Sequence, residues 1–305
     1  MKLASFRNRD DAATIGVVKD DTIIDLPASV GDQFPREMTA FLALGQEGLK
    51  QAESLLAGTS QNSVAYPIKD LELLAPVPRP GKIMHTSCNF GDHLSELTQW
   101  QAPEWQAHNW GTFHHEHPTG FLEAPSSVVG SGARVVQPVF TKQLDYEIEL
   151  GIIIGKRAKN VSVDRALDYI AGYTIFNDLS ARDIQAREHA NKVILLGKSF
   201  DGSCPLGPFL VTQDEVPDPT ALSMRLDVNG EERQNSSTSH MRFKPYELVS
   251  WWSLTTLEPG DVITSGSPAG VAAGMKNPQW LKPGDTVNAT IERLGTLVTH
   301  IVEAA

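Results

Sequence analysis

The residues best placed to do chemistry are acids. Glu147 and Glu149 sit two apart in Asp145-Tyr146-Glu147-Ile148-Glu149-Leu150, and Asp178 closes a second apolar run, Tyr173-Thr174-Ile175-Phe176-Asn177. The first stretch runs on into Gly151-Ile152-Ile153-Ile154-Gly155, which reads as a buried strand bounded by glycines. Side chains alternate along a strand, so Glu147 and Glu149 share one face. Two carboxylates side by side on a mostly apolar strand repel each other and lose hydration, and a cation between them relieves both effects. With Asp178 as a third carboxylate and no Cys or His nearby in sequence, the donors suit a hard ion such as Mg²⁺ or Mn²⁺. The alternative is an edge strand carrying ordinary acids on its wet face, and residue types alone leave both readings open.

A second constellation precedes the acids. Lys82-Ile83-Met84-His85 reads as a strand, and a loop then enters a short helix that places His93 and Glu96 three apart on one face. A His oriented by a carboxylate is a reasonable general base for water. A surface ion pair with no role is the competing explanation. Residues 98–118 hold Trp100, Trp105 and Trp110, then His114-His115-Glu116-His117. That His spacing is not the i,i+4 spacing of a helical zinc site, so the segment reads as a lid whose tryptophans pack down on closing.

The elements that must position these groups follow from the rest of the chain. Its 305 residues allow a large core and about two domains. Residues 1–73 read as a small N-terminal α+β domain. Short strands lie at 13–18 and 22–26, and helical spacing runs from Glu37 to Leu56, interrupted at Gly45 and Gly48. The proline-rich stretch 74–81 is the linker, and 82–305 is the metal-dependent catalytic domain. Ser162 is expected to cap a helix from Val163 to about Ile170, and Ser180 one from Ala181 to about His189. On the second helix Arg182 and Gln185 face the same way. The C-terminal third is β-rich, with Pro-Gly-Asp turns at 259–261 and 283–285.

The net charge of −11 argues against nucleic acid or an anionic membrane as the main partner. No apolar run is long enough for a membrane span, and the charged start does not read as a secretory signal. Two cysteines, Cys88 and Cys204, make no disulfide framework, so reduced thiols in a cytoplasmic protein are expected.

Taken together, the segments 145–150, 177–185, 198–208, 228–234 and 265–271 resemble the fumarylacetoacetate hydrolase family over about residues 80–300. The resemblance implies a mixed, β-rich α/β fold in which a β-sandwich roll carries the site, commonly as a homodimer. It implies Mg²⁺ or Mn²⁺ on Glu147, Glu149 and Asp178, with Arg182, Gln185 and Lys198 around an acidic oxo-acid substrate. It also makes His93 and Glu96 a catalytic dyad on a lid. One departure stands out: many relatives have Phe-x-Lys where this chain has Phe121-Leu122-Glu123. A carboxylate there would repel a second substrate carboxylate or receive a hydroxyl or amine. The expected reaction is hydrolytic cleavage of a carbon–carbon bond in an acylpyruvate-type 1,3-dicarbonyl acid. His93, held by Glu96, activates water, Lys198 stabilises the enolate leaving group, and the backbone of Gly266 to Gly270 holds the far end. Oxaloacetate decarboxylation or keto–enol tautomerisation needs the same site without activated water, and a metal-binding relative without turnover is the non-enzymatic alternative.

Overall fold

The computed structural model describes the chain apart from residues 32, 59–62, 101–102, 107–115 and 305. The N-terminal strands are β1 (Lys2–Arg7), β2 (Ala13–Lys19), β3 (Thr22–Asp25), β4 (Ala65–Pro67) and β5 (Glu72–Leu74). They flank α1 (Leu26–Val30), α2 (Met38–Ala43) and α3 (Gln46–Leu56). The expected helical run from 37 to 56 is thus two helices, broken at Gly45, whose positive φ of 59° suits glycine. Gly48 does not interrupt; it is buried inside α3, where an added Cβ would stand 3.1 Å from the Phe41 ring.

Next come β6 (Ile83–Ser87), α4 (Gly91–Leu97), α5 (Pro103–Gln106) and β7 (Thr119–Glu123). After them lie β8 (Val128–Val129), β9 (Ala133–Val136), β10 (Leu144–Asp145), β11 (Ile148–Ile154), β12 (Ile170–Asn177), β13 (Ser180–Ala181), α6 (Arg182–Ala190) and β14 (Cys204–Thr212). The C-terminal third adds β15 (Ser223–Val228), β16 (Glu231–Ser237), α7 (Pro245–Trp252), β17 (Val262–Thr264), β18 (Thr286–Ile291) and β19 (Gly295–Val302).

One large sheet runs β4-β3-β2-β1-β14-β12-β11-β17-β6-β7, and a second runs β16-β15-β18-β19-β9. Strands on both sides of the 74–81 stretch therefore share a sheet, joined where Leu3 pairs with Leu210. The two sheets enclose the main core, in which Ile148, Leu150 and Ile152 of β11 meet Leu226, Val287 and Ala289. Each Ile, Leu or Val side chain removed from water there contributes roughly 1.5–3 kcal/mol. This is the expected β-rich roll. No helix among the described residues is long and apolar enough to cross a membrane.

Two expected caps are absent. Val163–Tyr169 is a 3₁₀ helix with no side-chain bond from Ser162. Helix α6 starts after Ala181, and the Ser180 hydroxyl instead donates to the Asp178 carbonyl. Ser180 is held in β13, paired with Asp145, so local capping preference yields to sheet pairing.

Candidate active site

Strand register assembles the acids. Ile148 pairs with Asn177 and Glu149 with Phe176, which leaves Asp178 just beyond the end of β12, its N–H donating to the Glu147 carbonyl at 2.9 Å. The strand expected through 145–150 is interrupted at Tyr146 and Glu147, between β10 and β11. The Glu147 N–H there donates to the Asn177 side chain, and the Ile148 N–H to Gln234. Glu147, Glu149 and Asp178 are all buried at 3% exposure or less, which removes the wet edge strand as an explanation.

A fourth donor joins them that sequence reasoning did not find. His85 lies on β6, which pairs with β17, which pairs with β11. Its Nε2 is 3.1 Å from Glu149 Oε1 and 2.9 Å from Asp178 Oδ2. One ligand atom from each of His85, Glu147, Glu149 and Asp178 falls within 4.8 Å of the others. The only sequence signal was a lone His in an otherwise apolar strand, which has no near neighbour in the chain to mark it.

The electrostatics ask for a cation. Lys198 Nζ bridges Glu147 and Asp178. Arg182 donates to Asp145, Glu147 and Gln185. Burial alone would raise the Glu147 pKa, but Arg182, Lys198 and His93 hold it well below the usual carboxylate range. Burial would lower Lys198, yet Asp178 and Glu147 keep it above its ordinary value. Even so, Asp178 Oδ1 is buried with no hydrogen-bond partner. An orphaned carboxylate oxygen beside two more carboxylates fits a divalent ion, and the oxygen-rich donor set suits Mg²⁺ or Mn²⁺.

Above this floor lies a cleft of about 210 Å³ whose lining includes Cys88, His93, Trp105, Phe121, Gln185 and Lys198. Helix α4 carries His93 and Glu96, and His93 Nδ1 meets Glu96 Oε1 at 2.8 Å. His93 Nε2 points inward, 3.5 Å from Glu147 Oε1. Glu96 is anchored in turn, its Oε2 accepting from the Gly270 N–H at 2.9 Å. The Gly266 N–H donates to Glu149 Oε2 at 2.8 Å. Both amides expected to hold substrate are therefore bonded to carboxylates of the protein. Both positions require glycine: φ is 78° at Gly266 and 107° at Gly270, where an added Cβ would stand 2.2 Å from the Arg233 carbonyl. Arg182 lines the same cleft, is 1% exposed, and its guanidinium braces Asp145 and Glu147.

Glu123 is not among the residues lining this cleft. It is 2% exposed and accepts from the Cys204 thiol at 3.4 Å. Burial and the Asp178 charge push its pKa well above the usual range, with His85 and Lys198 opposing. Of the lid, Trp100 and Trp105 pack at 4.6 Å between centroids, and the Trp105 indole donates to the Leu97 carbonyl. His117 stacks on Trp251 at 4.5 Å. Trp110, His114 and His115 lie outside the described residues.

A β-rich roll with buried carboxylates and an imidazole beneath such a cleft belongs among the metal-binding enzymes. Residues 82–302 match the family model described as fumarylacetoacetate (FAA) hydrolase C-terminal, and the chain belongs to the fumarylacetoacetate hydrolase family. It is 38% identical to the mitochondrial oxaloacetate tautomerase fahd2 of Xenopus laevis, over 99% of this chain and 90% of that one. Among solved structures it resembles a fumarylacetoacetate hydrolase from Exiguobacterium antarcticum, with TM-score 0.77 and 34% identity over the whole of both chains. It also resembles maleylpyruvate hydrolase from Sphingobium sp. SYK-6, solved with manganese(II) and pyruvate, with TM-score 0.76 and 29% identity over the whole of both chains.

Proposed function

We propose that the protein interconverts the keto and enol forms of a small 2-oxo diacid such as oxaloacetate, with Mg²⁺ or Mn²⁺ held by Glu147, Glu149 and Asp178. One observation carries this reading. His93 Nε2 faces the carboxylate floor at 3.5 Å from Glu147, while its Nδ1 is tied to Glu96. That places a proton-accepting nitrogen beside the ion-binding oxygens, where the carbon next to a chelated keto group would lie. The cleft of about 210 Å³ is smaller than the roughly 300–1,000 Å³ of drug-sized sites, in keeping with a short substrate. The tautomerase relative supports the same substrate class.

The ion, when bound, supplies Lewis-acid polarisation of the 2-oxo group. His93 Nε2 takes the proton from the carbon next to that group, and Glu96 holds Nδ1–H and stabilises the imidazolium. The Lys198 ammonium, kept charged by Asp178 and Glu147, donates toward the enolate oxygen as charge develops there. His93 then returns the proton to that oxygen, which completes the exchange. Trp105 and Phe121 wall the cleft and limit water, while Gln185 orients the substrate.

Acylpyruvate hydrolysis is the second reading, favoured by the same His93–Glu96 pair, which suits activation of water, and by the hydrolase relatives. Parallel turnover assays on oxaloacetate and on acylpyruvates separate the two. Faster enol–keto exchange that falls by about 10²-fold or more in His93→Ala, with acylpyruvates untouched, supports the tautomerase. Efficient acylpyruvate cleavage with no effect on oxaloacetate exchange would replace it with the hydrolase.

A further inference from the structure

Two buried polar atoms on one face of the sheet have no partner: Nδ1 of His85 and Oε1 of Glu123. Their strands pair antiparallel, with His85 opposite Phe121 and Ile83 opposite Glu123. His85 and Glu123 are therefore diagonal neighbours whose side chains leave the same face, their backbone positions roughly 7–8 Å apart, a gap that long side chains close directly or through one water. Phe121 stacks on the His85 ring at 4.4 Å and 21°, which fixes the ring plane. In that plane Nε2 is aimed at the acids.

The distances to the acids suit a ligand. Two groups bound cis at about 2.1 Å from an octahedral ion stand about 3.0 Å apart. His85 Nε2 is 3.1 Å from Glu149 Oε1 and 2.9 Å from Asp178 Oδ2. The charges agree. Apart from the lid pair His93–Glu96, the buried acids Asp145, Glu147, Glu149, Asp178 and Glu123 face two permanent cations, Arg182 and Lys198. Five carboxyl groups against two permanent cations leave an excess of acid that a divalent ion offsets.

Building on the metal centre of the proposed function, we propose that His85 binds the ion through Nε2 as a fourth protein ligand, oriented at Nδ1 by Glu123, and that this imidazole makes the centre prefer Mn²⁺ to Mg²⁺. Three carboxylates alone suit both ions, whereas an imidazole favours first-row transition ions over Mg²⁺. A carboxylate behind a ligating imidazole fixes its tautomer and orientation. Glu123 is then a positioning residue of the metal site and touches no substrate.

The test is pulsed electron paramagnetic resonance of the Mn²⁺-loaded full chain, with Mn²⁺ and Mg²⁺ titrations by calorimetry. The wild type is expected to show a directly coordinated ¹⁴N coupling that persists in His93→Ala and disappears in His85→Ala. His85→Ala is expected to lose at least tenfold more affinity for Mn²⁺ than for Mg²⁺. Glu123→Gln is expected to keep the coupling and bind Mn²⁺ about 10–100-fold more weakly. A wild-type spectrum with bound Mn²⁺ and no coordinated nitrogen would overturn the proposal while leaving the carboxylate centre standing, and it needs no variant to fold. A coupling that survives His85→Ala would overturn it equally. If Mn²⁺ did not bind at all, the metal centre would fail and this inference with it.

Discussion

Replacing Arg182 by Met should destabilise the protein sharply in the absence of metal. Arg182 is 1% exposed and donates to Asp145 Oδ2 at 2.8 Å, to Glu147, and to Gln185 Oε1 at 3.0 Å. Removing one partner of a buried ion pair costs about 3–5 kcal/mol, because the other charge is left uncompensated. Here the loss should fall near the lower end. Asp145 keeps the backbone N–H groups of Tyr146, Ala272 and Ala273, and Glu147 keeps Lys198. For a chain of 305 residues, an unfolding entropy of about 2.1 cal/mol/K per residue converts a loss of about 3 kcal/mol into a fall in Tm of about 5 °C. Differential scanning calorimetry of metal-free wild type and Arg182→Met reads this directly. Adding Mn²⁺ should narrow the gap, since the ion supplies positive charge beside Glu147. Arg182→Lys, which keeps the charge without the fork, should lie between the two. A metal-free Arg182→Met within about 1 °C of wild type would refute the reasoning, because at most ~0.6 kcal/mol would then be assigned to a guanidinium bracing two buried acids.

Three further outcomes follow from the same site. Burial and the nearby Glu147 charge push the Cys88 thiol up to about 12, so its thiolate fraction at pH 8 is about 10⁻⁴. Metal-free protein held with iodoacetamide for hours at that pH should regain full activity once Mn²⁺ is restored, and rapid loss of that recovery traced to Cys88 by mass spectrometry would contradict this. Because Glu147 is held below its unfolded value near about 4.3, its stabilising contribution is complete above that pH and is lost as pH falls through the lower folded value. Glu147→Gln should therefore flatten the acid limb of the stability curve, measured by urea unfolding across pH 2–5. Glu123 has the opposite sign: its folded value is raised, so stability falls as pH climbs from its ordinary value toward the raised one. Metal-free Glu123→Gln should then melt at or above the wild-type temperature at pH 7–8, and a lower Tm there would count against a buried, unfavourable carboxyl.

Much of this site was legible in the sequence because its acids sit in runs whose periodicity is plain. Glu147, Glu149 and Asp178 flank apolar strands, so alternation and the cost of burying like charges raised a cation site beside the wet-edge alternative, and the family resemblance favoured the cation. His93 and Glu96 were legible for a similar reason, since helical spacing brings i and i+3 together, and the structure adds that Glu96 also grips the Gly270 amide. What escaped depends on pairing between distant strands. His85 reaches the acids only through the β6–β17–β11 order, and the chain gives no local sign of that neighbour. Glu123 was readable as a departure, but its register against Ile83, which puts it on the sheet face of His85 while it stays out of the cleft lining, was not. For Arg182 helical spacing pointed to the neighbour Gln185 on its own helix, while its partners Asp145 and Glu147 come from a distant segment. Ser180 shows the reverse error: a good local cap signal overruled by pairing with Asp145.

The measurement that bears most directly on the central claim is enol–keto exchange of oxaloacetate by metal-stripped protein titrated with Mn²⁺, run alongside calorimetric metal binding for wild type and Glu149→Ala. Glu149 is fully buried, its Oε1 facing His85 and its Oε2 facing the Gly266 amide. The account predicts negligible exchange without metal, activity that rises in step with one bound Mn²⁺ per chain, and loss of both binding and exchange in Glu149→Ala. Full exchange by the stripped protein, or a Glu149→Ala variant that keeps both metal and activity, would contradict it.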